Sequence, residues 1–129
     1  MTILAMTKLV VGDVEKAKAF YEAVCGVREA RRIQGKVGDR AITELIMEAA
    51  TPGGATLVLF QEHDTTPPAP GSSILVFETD DVDAFVDRAV AAGGAVQQPT
   101  KDLPDFGLSY AFVTDPEGHM LEPLCRKAG

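Results

Sequence analysis

The stretch Val11-Gly12-Asp13-Val14 is the most informative part of this sequence, because the pattern returns in the second half as Thr79-Asp80-Asp81-Val82. The same ungapped alignment places Gly26-Val27 on Gly94-Ala95. An internal repeat of this kind indicates an architecture that local propensity alone does not reveal. The chain therefore consists of two weakly similar halves.

Each copy of the repeat lies where a short apolar strand gives way to an amphipathic helix. Asp13 and either Asp80 or Asp81 are the expected N-caps, while Gly26 and Gly93-Gly94 are the expected helix stops. Three further strands follow in each half. The predicted strands are Ile3–Val11, Val27–Gln34, Arg40–Glu48 and Ala55–Glu62 in the first half, then Ser73–Thr79, Ala95–Thr100, Leu108–Thr114 and His119–Leu124 in the second.

Turn-forming residues mark the hairpins and the boundary between the halves. Thr51–Gly54 and Asp115–Gly118 are rich in Gly and Pro and join the last two strands of each half. The Pro-rich segment Asp64–Gly71 suits neither a helix nor a central strand. The sequence thus predicts one domain, residues 1–129, made of module 1 (1–63), a linker (64–71) and module 2 (72–129).

Composition excludes several classes of partner. The chain has 129 residues, 46% apolar content and a formal charge of −7, enough for one core but without the basic cluster that nucleic acid or anionic lipid requires. We therefore expect no nucleic-acid and no membrane partner. The N-terminus lacks signal-peptide features, which predicts a cytoplasmic protein. Cys25 and Cys125 match neither zinc nor disulfide spacing and are expected to be reduced packing residues.

Two segments resemble the vicinal oxygen chelate superfamily, which includes glyoxalases, extradiol dioxygenases, epimerases and antibiotic-sequestering bleomycin-resistance-type proteins. They are Val11–Tyr21 with its Gly26 stop and the closing hairpin Phe112–Glu122. The resemblance covers nearly the whole chain. It implies an α+β fold in which two βαβββ modules form a curved mixed sheet around a cavity, with the helices on the convex side.

Enzymes of this superfamily usually hold a divalent metal on a His of the first strand and a Glu of the last strand of each half. The matching positions here are Met6, Val58, Ile74 and Glu122, so one ligand of four remains. A zinc, nickel or iron ion needs three or four N, O or S donors at ~2 Å. We therefore predict no metal and no other cofactor, and we expect His63 and His119 to be surface or rim residues.

Strand alternation predicts the lining of the cavity, because alternate residues share a face. The predicted lining is Met6, Lys8, Val58, Phe60, Ile74, Val76, Glu78, Tyr110, Phe112, Met120 and Glu122. Apolar walls with a few charged groups are typical of a small-molecule pocket. Lys8 either pairs with Glu122, as an acid/base couple or ligand anchor, or forms a rim salt bridge.

Three functions are compatible with this pattern. The loss of metal ligands favours a binding protein that sequesters a flat or hydrophobic small molecule. The alternatives are a lyase or isomerase of the glyoxalase type that uses Glu122 as general base, and a metal enzyme with a displaced site. The absence of Trp argues against a bleomycin-like stacking clamp. Sheet edges need partners, so we expect a homodimer, in which the modules of one cavity come from one chain or from two.

Overall fold

The computed structural model describes residues 1–126 and contains two successive βαβββ modules. The first comprises β1 (Met6–Val10), α1 (Val14–Cys25), β2 (Val27–Val37), β3 (Arg40–Ala49) and β4 (Thr56–Glu62). The second comprises β5 (Ile74–Glu78), α2 (Val82–Ala91), β6 (Ala95–Leu103), β7 (Leu108–Thr114) and β8 (Met120–Arg126), with a short 3-10 turn, Pro104–Phe106, before β7. The predicted α+β architecture is confirmed.

Each module forms its own four-stranded mixed sheet. The strand orders are β1-β4-β3-β2 and β5-β8-β7-β6, so the first strand of each module pairs with the last. That pairing is parallel in both sheets, whereas the other neighbours are antiparallel. The matching topology confirms the repeat read from the sequence.

The helix ends follow local capping chemistry. Asp13 caps α1, because its carboxylate accepts from the backbone N–H groups of Glu15 and Lys16, and Gly26 ends the helix at φ 65°, a left-handed conformation that Gly adopts easily. Asp81 caps α2 by accepting from the Ala84 N–H at 3.0 Å. The N-cap of α2 is therefore Asp81 rather than Asp80.

Most strand boundaries differ from the predictions by one to three residues, and the differences in β1 and β6 have a clear physical reason. β1 begins at Met6, which lies opposite Thr56 at the start of β4. Residues before Met6 have no β4 residue opposite them, and Ile3, the predicted start of this strand, is exposed. β6 continues past Pro99 to Leu103. It does so as an edge strand with two register shifts, where Pro is tolerated.

Alternation gives each sheet one buried face, and α2 packs on that face of the second sheet. In the first module this face presents Leu9, Leu45, Met47, Leu57 and Leu59, and in the second Ala111, Val113, Leu121 and Pro123. The α2 residue Phe85 lies 5.9 Å from Phe77, ring to ring, on this side of the second sheet. We call the opposite side of each sheet its distal face.

Contacts divide the chain into two compact units. One contains Met1–Glu22 and Gly26–Ala69, and the other contains Ala23–Cys25 and the chain from Pro70 onward. The last turn of α1 belongs to the second unit, where Arg88 donates from Nε and Nη2 to the Val24 carbonyl at 3.3 and 3.1 Å. Neither helix within residues 1–126 has the length and apolarity needed to cross a membrane.

Candidate ligand-binding site

The distal face of the second sheet collects most of the predicted lining. Leu121 and Ala111 are fully buried on the helix side, so their neighbours on β8 and β7 point to the distal face. The β5–β8 register places Ile74 opposite Met120 and Val76 opposite Glu122. The predicted residues on this face are Ile74, Val76, Glu78, Tyr110, Phe112, Met120 and Glu122.

Aromatic surface and a carboxylate lie side by side on this face. The rings of Tyr110 and Phe112 meet edge to face, with centroids 5.7 Å apart and planes at 80°, an orientation that aromatic pairs favour. Glu122 is half-buried on the neighbouring strand, and no residue of the described chain, 1–126, forms a hydrogen bond or ion pair with it. Its carboxylate is therefore free to accept hydrogen bonds from a ligand.

The edge strand β5 frames the site with exposed apolar side chains. Ile74 and Val76 are 53% and 54% exposed, well above the usual exposure of packed core residues. Glu78 is bound to Arg126 at 3.0 Å in a largely exposed ion pair. Such a pair contributes little to stability and leaves Glu122 as the uncommitted acid of this face.

Lys8 lies on the distal face of the first sheet, where its ammonium pairs with Glu44. It also sits 5.5 Å from the centroid of the Phe60 ring, a cation–π distance. Glu44 lies directly opposite Phe60 in the β3–β4 register. The predicted alternative in which Lys8 pairs with Glu122 is thus wrong, and the rim salt bridge is observed with a partner that we did not predict.

Glu44 was detectable in principle from the sequence. It is the one acidic residue between Ile42 and Ile46 at alternate positions of β3, and alternation would have placed it on the face of Phe60. The remaining two predicted residues of this sheet differ in exposure. Val58 is 1% exposed and enclosed by its neighbours, whereas Met6 is exposed at the sheet edge.

A small cavity of about 280 Å³ lies beneath the linker, away from the predicted lining. It is lined by Val10, Val11, Arg40, Glu62, Thr65, Thr66, Pro67 and Pro68. The Glu62 Oε2 atom already accepts from Arg40 at 3.1 Å and from Thr65 at 3.0 Å. Its volume is at the lower end of ligand pockets and its main acid is engaged, so we favour the distal face of the second sheet.

The residues at the family's metal positions do not fit a metal ion. Met6 and Val58 offer a thioether and an alkyl group, while Ile74 and Glu122 offer an alkyl group and one carboxylate. No cluster of three or more His, Cys, Asp or Glu side chains able to hold a metal occurs within residues 1–126. Transition-metal sites need three or four converging donors. These four residues do not supply them, so no reaction step at this position is attributed to a metal.

His119 is not the surface or rim residue that we predicted. The His119 side chain is buried, with 7% of the residue exposed, and its Nδ1 atom lies 2.8 Å from Oδ2 of Asp115. Asp115 is also buried, at 4% exposed. Asp115 Oδ1 accepts from the backbone N–H groups of Glu117 and His119, each at 2.9 Å. The hairpin turn folds around this carboxylate and draws the imidazole inside. His63 is exposed as predicted, with Nε2 2.7 Å from the Thr43 hydroxyl.

The two cysteines are free, as predicted. Burial raises the pKa of the Cys25 thiol far above its ordinary value, although the Arg88 charge opposes the effect. A thiol held in its protonated form is a poor nucleophile. Cys25 is therefore a packing residue rather than a candidate catalytic group.

The two βαβββ modules and their strand order define a glyoxalase-like fold. A family model described as the Glyoxalase/Bleomycin resistance protein/Dioxygenase superfamily matches residues 3–122. The chain belongs to this superfamily, which confirms the resemblance inferred from its two motifs.

The chain is similar to three known proteins. It is 28% identical to a probable lactoylglutathione lyase of Vibrio parahaemolyticus, over 94% of this chain and 88% of that protein. It is also 28% identical to a lactoylglutathione lyase of Neisseria meningitidis, over 98% and 92%. A glyoxalase family protein from Bacillus cereus aligns with a TM-score of 0.82 and 17% identity, covering 99% and 97% of the two chains. This last similarity concerns the fold alone.

Proposed function

We propose that this protein binds a small, flat or hydrophobic molecule on the distal face of its second sheet and sequesters it without a metal. The observation that supports this proposal is the uncommitted Glu122 carboxylate beside the Tyr110–Phe112 aromatic pair. Three of the four metal-ligand positions are Met or aliphatic residues. Burial and hydrogen bonding would thus hold the ligand.

Each part of the face has a distinct role in this proposal. The Phe112 and Tyr110 rings provide apolar contact area for a flat ligand. Ile74, Val76 and Met120 add apolar surface, whose removal from water favours binding. Glu122 accepts a hydrogen bond from a ligand O–H or N–H and so fixes the ligand's orientation.

The second candidate is a lyase or isomerase of the glyoxalase type. It is supported by the 28% identity to the Vibrio and Neisseria lactoylglutathione lyases over most of their length. In this case Glu122 would remove a proton from a carbon next to a carbonyl and return it to a neighbouring atom. Whether a divalent metal takes part separates two forms of this candidate, and the residues at the family's metal positions favour the metal-free form.

A thermal-shift screen tests both candidates. The compounds are aromatic antibiotics, small α-keto and α-hydroxy acids, glutathione adducts and CoA thioesters, since a ligand of the native state raises its stability. A compound that binds and is recovered unchanged supports sequestration. A compound that is converted, with conversion lost in Glu122→Gln, supports the lyase or isomerase.

The matched control is Glu78→Gln, which neutralises an acid on the same sheet that is already paired with Arg126. We expect Glu122→Gln to weaken ligand binding and Glu78→Gln to leave it nearly unchanged. Equal binding by the parent and by Glu122→Gln would show that the ligand lies elsewhere, and the proposed site would be wrong.

We also propose a homodimer that acts in the cytoplasm. β1 and β5 are edge strands, and both present exposed apolar side chains, including Met6, Ile74 and Val76. Exposed apolar edges are typical of association surfaces. Two free cysteines suit a reducing compartment, which supports the cytoplasm as the place of action.

A further inference from the structure

Gln98 has a side-chain amide nitrogen that is buried and has no hydrogen-bond partner within residues 1–126. Buried polar groups are nearly always paired, because an unpaired donor loses its hydration without compensation. Natural proteins break such rules at functional or strained sites. The amide is therefore a candidate ligand contact that the alternation argument did not identify.

The backbone around Gln98 explains why the sequence pattern did not reveal it. Register shifts flank this residue on both sides, between Val96 and Gln98 and between Gln98 and Lys101. Bulges of this kind redirect side chains and are frequent beside functional sites. The shifted register places Gln98 directly opposite Phe112, hence on the distal face of the second sheet.

Gln98, Phe112 and Glu122 form a row across three adjacent strands. Phe112 lies beside Glu122 in the β7–β8 ladder. This follows from the pairs on either side of it, which are Tyr110 with Leu124 and Thr114 with Met120. Adjacent strands are about 4.8 Å apart, so the backbones of Gln98 and Glu122 are separated by roughly 10 Å. An amide donor and a carboxylate acceptor thus lie on either side of one aromatic ring.

We propose that Gln98 determines the ligand specificity of this face, an inference that rests on the proposed binding function. Its amide donates to a carbonyl oxygen at one end of a flat aromatic ligand, and Glu122 accepts from a hydroxyl or N–H at the other end. The ring of the ligand lies on Phe112. The ligand class is therefore a neutral aromatic carbonyl compound with a distant hydrogen-bond donor.

The amide can reach a ligand without a change in the backbone. Gln98 as a whole is only partly buried, and the terminal torsion of a glutamine side chain has a broad energy profile. Rotation about this torsion changes the directions of the amide nitrogen and oxygen, and in this proposal it turns the nitrogen towards the ligand's carbonyl oxygen. An anionic ligand is disfavoured on this face because the Glu122 carboxylate would repel it.

Three para-substituted benzenes test the two hydrogen bonds separately. 4-Hydroxyacetophenone offers both the carbonyl and the hydroxyl, 4-ethylphenol lacks the carbonyl, and 4-methoxyacetophenone lacks the donor. Affinities are measured by NMR titration at a pH where the phenols are neutral. The proteins are the parent, Gln98→Leu, Glu122→Gln and the control Gln97→Leu, which replaces the exposed neighbouring glutamine.

We expect Gln98→Leu to weaken the binding of 4-hydroxyacetophenone about tenfold, because one well-placed hydrogen bond is lost. The affinity for 4-ethylphenol, which has no carbonyl, should not change. Glu122→Gln should weaken the binding of 4-hydroxyacetophenone, whereas the affinity for 4-methoxyacetophenone, which lacks the donor, should not change. Gln98→Leu should also raise the melting temperature, because it removes an unpaired buried donor. Gln97→Leu should change none of these affinities.

Two results would overturn the inference and would affect the proposed function differently. If Gln98→Leu lowers the melting temperature and keeps the parent affinity, the amide has a structural role and the inference is wrong. The binding proposal still holds in that case if Glu122→Gln weakens the binding of 4-hydroxyacetophenone. If none of the three probes binds the parent at millimolar concentration, the ligand class is wrong, and the thermal-shift screen still decides the binding function.

Discussion

The buried Asp115 carboxylate should be the most sensitive point of the second module. Asp115 accepts hydrogen bonds from two backbone N–H groups at 2.9 Å and from His119 Nδ1 at 2.8 Å. Asp115→Ala removes the acceptor of these hydrogen bonds, two of which come from the buried His119, whereas the Glu117 N–H is only partly buried. An unpaired buried donor costs about 1–3 kcal/mol, so we expect a loss of about 3–5 kcal/mol.

Urea unfolding at neutral pH measures this loss, and thermal melting should show a decrease of roughly 10–20 °C for a domain of this size. Asp115→Asn keeps one acceptor oxygen for the backbone N–H groups and should lose about half as much. The control Asp105→Ala removes an exposed carboxylate from the 3-10 turn and should be neutral. If Asp115→Ala unfolds within about 1 kcal/mol of the parent, the carboxylate does not organise the hairpin and this reasoning fails.

Four further outcomes are expected. Elemental analysis of purified protein should find no stoichiometric transition metal, and about one tightly held ion per chain would contradict the conclusion that Met6, Val58, Ile74 and Glu122 do not fit a metal ion. Sedimentation equilibrium should give the mass of a dimer of the 13.7 kDa chain. A monomer mass would show that the edge strands β1 and β5 do not associate with a second copy. In Cys125→Ser protein, native Cys25 should alkylate slowly at pH 8 and rapidly after unfolding, as mass spectrometry can show, because burial raises its pKa. Hydrogen bonding from Arg32 lowers the pKa of Glu29 below its ordinary 4.5. The ionised Glu29 carboxylate therefore stabilises the folded protein above pH 4.5, and this stabilisation is lost as the pH falls through the lowered pKa. Acid unfolding of Glu29→Gln should lack this part of the pH dependence.

The fold could be predicted from the sequence because its signals are local and occur twice. An N-cap such as Asp13 acts on N–H groups two and three residues away, and Gly26 ends α1 through its own backbone conformation. Neither requires knowledge of the rest of the chain. Repetition of the same order of elements then fixed the topology, since each half had to satisfy the same pattern.

The site was less predictable because its key contacts depend on register. Lys8 and Glu44 lie on different strands, and their ion pair requires the β1–β4 and β3–β4 registers to be known together. Gln98 is misplaced by simple alternation, since two register shifts on β6 change which face it occupies. His119 was predicted to be exposed because turns usually are, yet the Asp115 carboxylate holds it inside.

A comparison of the two sheets supports the proposal that the ligand surface lies on the second one. Their register places equivalent rows across the distal faces, Arg31, Ile46, Val58 and Lys8 in the first sheet and Gln98, Phe112, Glu122 and Val76 in the second. The charged groups of the first row, Arg31 and Lys8, are both cationic, and the ammonium of Lys8 is already paired with Glu44. The second row holds a donor and an acceptor on either side of Phe112, and neither has a partner within residues 1–126. Because a hydrogen-bonding group that is already paired gains little from a ligand, this combination of an uncommitted donor with an uncommitted acceptor supports the second sheet as the proposed ligand surface.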